Sequence, residues 1–326
     1  MFETKTGLRK FATLITIAAL VFAATPPANS AVKYASTVRF IASKFVNKQY
    51  VEGFSAGKAD YGFTIESLLQ LRAAGQTANS FKPAVEYNLQ NASVVGTSST
   101  KVGAHYVDQK FQSGRGAMFL VASKAYGLPK SALRTNVLTS LKASIKPTGE
   151  IADANGNTFT YGWTILGLKA SGEIKLANLV AAKLATLARP DGGYGTDLTG
   201  DTMTSAADAT GMALMAFASV KKSGSTAQES KKNAAATKAI GWLTGSALIK
   251  DHYEAWGDVD VNGTDYAIMG LAANGQKVSA MQAWLVGRLA PTGGLTTPWS
   301  EGKADTYATA QGYLALLGSS YVALIK

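Results

Sequence analysis

Cysteine is absent from all 326 residues. Its absence excludes disulfides, thiolate metal sites, a cysteine nucleophile and a cysteine-borne lipid anchor. Histidine is almost absent as well. His105 and His252 are the only two, and neither has a neighbour at metal-ligand spacing. With no defensible Ser-His-Asp order, no phosphate-binding glycine loop and no nucleotide fingerprint, the sequence implies no metal and no cofactor. Acidic side chains are scarce too, 21 against 32 Lys and Arg, for a formal charge of +11. The basic residues are scattered rather than gathered in runs. They read first as the solvated faces of surface helices, and second as a weak attraction to an anionic cell wall; nucleic acid is not an expected partner. Beyond the N-terminus, no apolar run approaches the roughly 20 residues that span a membrane.

What is present points to a large core, since 47% of residues are hydrophobic and only 16% charged. A chain of this length can bury enough surface to fold without disulfide staples. Lys5, Arg9 and Lys10 precede an uncharged, largely apolar run from Phe11 to Ala24, and small residues follow in Pro26-Pro27-Ala28-Asn29-Ser30-Ala31. This order predicts a signal peptide over residues 1–30, with one mature domain over 31–326 that is secreted or held at the cell surface.

The mature part repeats. Six apolar segments rich in small residues each stop at a glycine: Asp60 to Gly75, Ser113 to Gly127, Thr158 to Gly172, Ser205 to Gly224, Thr264 to Gly275 and Ala304 to Gly318. Tyr61-Gly62-Phe63-Thr64-Ile65 recurs as Tyr161-Gly162-Trp163-Thr164-Ile165, and the turn Pro190-Asp191-Gly192-Gly193 recurs as Pro291-Thr292-Gly293-Gly294. A terminal glycine suits a helix C-cap, which needs a left-handed residue. Helices apolar on every face must be covered on every face. Between them run segments with one apolar stripe at helical spacing, such as Leu133, Val137, Leu141 and Ile145, or Leu176, Val180, Leu184 and Leu187. Six inner and six outer helices therefore alternate. Neither end of the mature chain is polar enough to cap an open solenoid, and the last expected helix, Ala308 to Ile325, is among the most apolar. The expected architecture is therefore a closed α/α toroid, an α6/α6 barrel of six helical hairpins.

The turn Asp191-Gly192-Gly193-Tyr194-Gly195 and the helix Ser205-Ala206-Ala207-Asp208-Ala209-Thr210-Gly211-Met212-Ala213-Leu214 carry a family resemblance. So do Asp265-Tyr266-Ala267 and Asp305-Thr306-Tyr307-Ala308. With these, the mature chain resembles the terpenoid cyclase and protein prenyltransferase toroid superfamily, with its prenyltransferase and squalene oxidase repeat. The resemblance implies a barrel with a central cavity, used in that superfamily for isoprenoid chemistry and in related rings for cobalamin or polysaccharides. The catalytic hallmarks do not carry over. The prenyltransferase zinc set needs a cysteine, Asp258-Val259-Asp260 lacks the adjoining acid of a squalene-type cyclase, and no Asp-rich magnesium box is present.

The connections from outer to inner helices should gather at one rim, where inner-helix N-termini present free N–H groups. Asp60, Asp265 and Asp305 are expected at inner-helix starts and Asp208 near another, either as carboxylates around a cavity or as caps of their own helices. Asp258 and Asp260 are the weak catalytic candidates, against the reading of a polar turn. Tyr61, Tyr161, Trp163, Tyr266, Tyr307, Trp256 and Trp299 offer a stacking wall or ordinary packing. Three readings of function follow: non-catalytic binding of a small hydrophobic or amphiphilic ligand or glycan, a divergent terpene cyclase or carbohydrate-active enzyme, and a cell-surface interaction module.

Overall fold

A computed structural model describes residues 33–53, 57–90, 106–107, 110–154, 157–197 and 204–326. The expected signal peptide and His105 lie outside them. In chain order the elements begin with α1 (Ala35–Ser43), the pair β1 (Phe45–Val46) and β2 (Tyr50–Val51), and α2 (Tyr61–Ala73). Then come α3 (Lys82–Val85), which runs into one π-helical turn (Glu86–Gln90), and the pair β3 (Tyr106–Val107) and β4 (Lys110–Phe111). Next are α4 (Ser113–Ala125), α5 (Ala132–Ala143), α6 (Thr158–Ala170), α7 (Ile174–Ala185), α8 (Ala207–Ser219) and α9 (Thr226–Thr244). The chain continues through β5 (Tyr253–Ala255), β6 (Asp258–Asp260), α10 (Val261–Ala273), α11 (Ser279–Val286), α12 (Thr306–Leu316) and α13 (Tyr321–Leu324).

The even-numbered helices from α2 to α12 are the inner wall. Each packs on the next, and α12 packs back on α2, so the ring is shut. These six are buried around almost their whole circumference, which explains their lack of a polar face. The outer helices α5, α7, α9 and α11 bury a narrower stripe, such as Val137 and Leu141 on α5. The chain is an α/α toroid. The short antiparallel pairs and isolated bridges all fall in connections that lead from an outer helix to the next inner one, so one rim carries the longer loops.

A recurrent threonine pins those loops. Thr64, Thr210, Thr264 and Thr309 each sit one turn into an inner helix and accept the backbone N–H of Val51, Tyr194, Tyr253 and Leu295 respectively. Each hydroxyl also donates back to the carbonyl four residues earlier, at Asp60, Ala206, Asp260 and Asp305. The incoming loop is thereby tied to the helix it feeds.

Close packing uses glycine where helix backbones meet. A Cβ on Gly211 of α8 would lie 2.2 Å from the Tyr266 carbonyl oxygen, and one on Gly270 of α10 would lie 2.4 Å from that of Gly211. These two helices touch backbone to backbone, and no larger residue fits.

Three departures from the sequence expectation have physical causes. The second outer helix is only α3 and its π turn, which is why no apolar stripe marks it. The fourth inner helix stops at Ser219 rather than running to Gly224, because Lys222 takes the left-handed turn. The apolar tail is not one helix, since Gly318 breaks it at φ 61 and α13 turns inward. That last turn packs against α2, α8 and α10, from different sides of the ring, and so covers the lumen at the C-terminal ends of the inner helices. Among the described residues there are thirteen α-helices, α13 being the short turn added to the twelve main ones expected.

Candidate functional site

The lumen is filled by a hydrogen-bonded network where α2, α10, α12 and α13 meet. Gln70 on α2 donates to the Gln311 carbonyl at 3.0 Å and to the Tyr321 hydroxyl at 3.2 Å, while its carbonyl accepts the Leu314 N–H at 2.7 Å. One buried glutamine therefore binds the α12 backbone across the closing seam. Gln311 in turn donates to Glu66 Oε2 at 2.9 Å and accepts from Asn262 at 2.6 Å. The Tyr266 hydroxyl donates to Glu66 Oε1. Aromatic rings close the rest, with Trp163 4.9 Å from Tyr321 and Phe159 edge-on to Tyr266 at 5.2 Å.

Above this floor, at the rim where the inner helices begin, a mouth of about 300 Å³ remains. Phe63, Met118, Phe159, Trp163 and Tyr266 form its apolar sides. Asp60, Glu66, Arg115 and Gln311 give it polar points. Tyr307 stands beside it, edge-on to Phe63 at 4.0 Å. Glu66 is the decisive group. It is 5% exposed, and burial outweighs its hydrogen bonds, pushing its carboxyl up from 4.5 to about 7. Near neutral pH it can therefore accept or donate a proton.

The rim residues named from sequence separate into several places. Asp60, Trp163 and Tyr266 come together in the mouth. Asp208, Trp256 and Asp260 instead line a second cavity of about 410 Å³, between the start of α8 and the β5–β6 hairpin. There burial raises Asp208 from 3.8 to about 6 and raises Asp260 as well. Trp256 is fully exposed at the hairpin tip, with φ 53. Asp60, Asp260 and Asp305 cap their helices, accepting N–H groups from Phe63, Gly263, and Tyr307 with Ala308. Asp258 accepts the N–H of its neighbour Val259 at 2.7 Å and lines neither cavity. Tyr61 and Tyr161 are core residues, 5% and 2% exposed. Trp299 is 74% exposed on the loop before α12. His252 stacks on Trp284 at 4.8 Å and touches Asp251.

Asp265 is not at a helix start. The cap of α10 is Asp260, and Asp265 lies inside the helix, fully buried, with neither carboxyl oxygen hydrogen-bonded. Burial, with Asp260 nearby, holds it well above the usual carboxylate range. The matching starts are Asp60, Asp260 and Asp305, each four residues before its threonine. That spacing was the signal available in the sequence.

Solved structures that share this fold include a terpene cyclase and a glycoside-processing enzyme. The apo type II terpene cyclase MstE from Scytonema superposes with a TM-score of 0.59 at 12% identity, covering 87% of this chain and 97% of that one. An unsaturated glucuronyl hydrolase with the oligosaccharide dGlcA-Glc-Rha-Glc superposes with a TM-score of 0.56 at 10% identity, covering 87% and 93%. At these identities the likeness is one of fold. No protein-family model matches the sequence, and no curated protein matches it. Among the described residues no helix is long and apolar enough to cross a membrane, and no cluster of His, Asp and Glu is arranged to hold a metal ion.

Glu66, Gln311, Gln70 and Arg115 were not singled out by sequence reasoning. Glu66 and Gln70 each carry a signal, a long polar side chain among the apolar and small residues of Thr64-Ile65-Glu66-Ser67-Leu68-Leu69-Gln70-Leu71. In a helix that is buried on every face, such a residue must have a partner.

Proposed function

We propose that the protein is an exported toroid that holds a small amphiphilic molecule in its axial mouth without covalent chemistry. The ligand presents a ring or apolar face to Phe63, Phe159 and Trp163, and a hydroxyl to Glu66. The observation that carries this reading is a carboxyl poised near neutrality at the base of an aromatic cup. At about 300 Å³ the mouth is at the low end of ligand pockets, a size for one or two rings rather than a long polyisoprenoid. An oligosaccharide in the glucuronyl hydrolase is consistent with a sugar ring as occupant. A terpene cyclase is less well supported, because the acid best suited to protonate an alkene, Asp265, is fully buried.

Calorimetric titration with monosaccharides, uronic acids and cyclic terpenoid alcohols tests the proposal. One class should bind with unit stoichiometry and weaken at least tenfold in Glu66→Gln, which keeps the shape but cannot ionise. Failure of all three classes, or equal binding by Glu66→Gln and Trp163→Leu, would sink it.

One observation favours a second reading, hydrolysis of a glycosidic bond. Asp60 lines the same mouth, close enough to raise the Glu66 carboxyl further. A protonated acid with a second carboxylate nearby is the minimum for that chemistry. Turnover of an aryl glycoside or an unsaturated uronide by wild type, abolished in Glu66→Gln, would replace binding with catalysis.

A further inference from the structure

The opposite end of the ring carries a different feature. Here the last turns of α4, α6 and α8, the starts of α5 and α7, and α13 surround a depression of about 880 Å³. Leu128, Ile174, Ala218, Val322 and Ile325 give it an apolar floor. Five cations line it, Lys124, Lys130, Arg134, Lys169 and Lys326, and the described lining includes no carboxylate side chain. They come from distant parts of the sequence, which is why they look scattered there.

Among the described residues none of the five is in an ion pair. Glu173, next to the lining residues Gly172 and Ile174, is already held by Lys142 at 2.9 Å. Helix dipoles account for only part of the cluster. Lys124 and Lys169 lie in the last turns of α4 and α6, where a cation is favourable. Arg134 lies in the first turn of α5, where the dipole has the wrong sign for it, and its Nη1 donates to the Leu128 carbonyl at 3.1 Å. Lys130 and Lys326 lie outside any helix. Five like charges around one depression repel one another, and a bound anion relieves that repulsion. The apolar floor adds a second requirement that a simple anion does not meet.

We propose that this depression binds a single-chain anionic amphiphile, with a carboxylate or phosphate head among the five cations and an apolar chain along the floor. The site is independent of the mouth. Its test is titration with dodecyl phosphate below its micellar concentration, beside dodecyl maltoside, which has the same chain, and tripolyphosphate, which has charge alone. Dodecyl phosphate should bind one per chain, at least tenfold tighter than either control, and weaken as salt rises. Lys130→Glu with Arg134→Glu should cost at least tenfold in affinity. Glu is favoured in the first turn of α5, so folding should survive, and a thermal melt checks that. Should the melt fail, the salt series on the wild type carries the same decision, since a binding constant indifferent to salt overturns the proposal. Glu66→Gln should bind the probe as wild type does. Equal binding of either control, an unchanged charge-reversed variant, or loss in Glu66→Gln would also overturn it.

Discussion

Two seams of the ring are built in opposite ways. Between α8 and α10, consecutive inner helices, Gly211 and Gly270 bring the backbones into direct contact and leave no room for polar groups. Between α2 and α12, separated by some 240 residues, closure rests on side chains that reach across, with Gln70, Gln311 and Glu66 at the centre. A local seam can rely on close packing, because its partners are already held near each other. A closing seam must find its register across a long loop-closure distance, and directional hydrogen bonds specify one alignment. The same polar groups then form the floor of the mouth, so the closing seam is also where the candidate chemistry sits.

Substitutions at the two seams should differ in cost, with the largest effect at the glycine seam. Gly211→Ala places a Cβ 2.2 Å from a backbone oxygen that cannot move aside. A loss of about 4 kcal/mol or outright misfolding should appear in urea unfolding, at the upper end for single substitutions. At the polar seam, Gln70→Ala leaves the Leu314 N–H and Gln311 carbonyl without this partner and should cost about 3 kcal/mol.

The pH dependence of stability distinguishes the seams further. Glu66 has its folded-state value raised from 4.5 to about 7, so the folded protein holds the proton more tightly than the unfolded chain. Its contribution is then fully favourable below about pH 4 and is lost as pH rises through about 7, worth about 3 kcal/mol over that window. Asp208 and Asp265 act in the same direction. The melting temperature should therefore be higher at pH 5 than at pH 8, and Glu66→Gln should flatten the difference. Smaller effects come from the caps. Asp305→Ala removes the acceptor for two N–H groups and should cost about 1 kcal/mol. Gly241→Ala on α9, where an added Cβ meets nothing within 4 Å, should stabilise by under about 1 kcal/mol.

Much of this fold was legible because its signals are periodic. The glycines at the ends of the inner helices and the unbroken apolar character of those helices follow from local geometry and double-sided burial. Ring closure was legible from the apolar end near Ala308 to Ile325. The fate of that end was not, since a glycine at 318 marks a stop but not the direction the next turn takes. The candidate site was read less well for a similar reason. Capping aspartates are conspicuous and proved to be occupied with their own helices, whereas Glu66 and Gln70 look like isolated polar interruptions until α12 is brought beside them. Asp265 was misplaced because its neighbour Tyr266 mimics the aromatic start of other repeats. The basic depression was invisible because its five cations are spread over some 200 residues.

Closure of the ring buries the Glu66 carboxyl at the floor of the mouth. A ¹³C NMR titration of the glutamate side-chain carboxyls, with Glu66 assigned by its absence in Glu66→Gln, reads that burial at the atom concerned. Glu66 should titrate with a midpoint at about 7. A Glu66 midpoint in the ordinary range near 4.5 would mean that water reaches this carboxyl freely, contradicting both the packed floor and the site built on it.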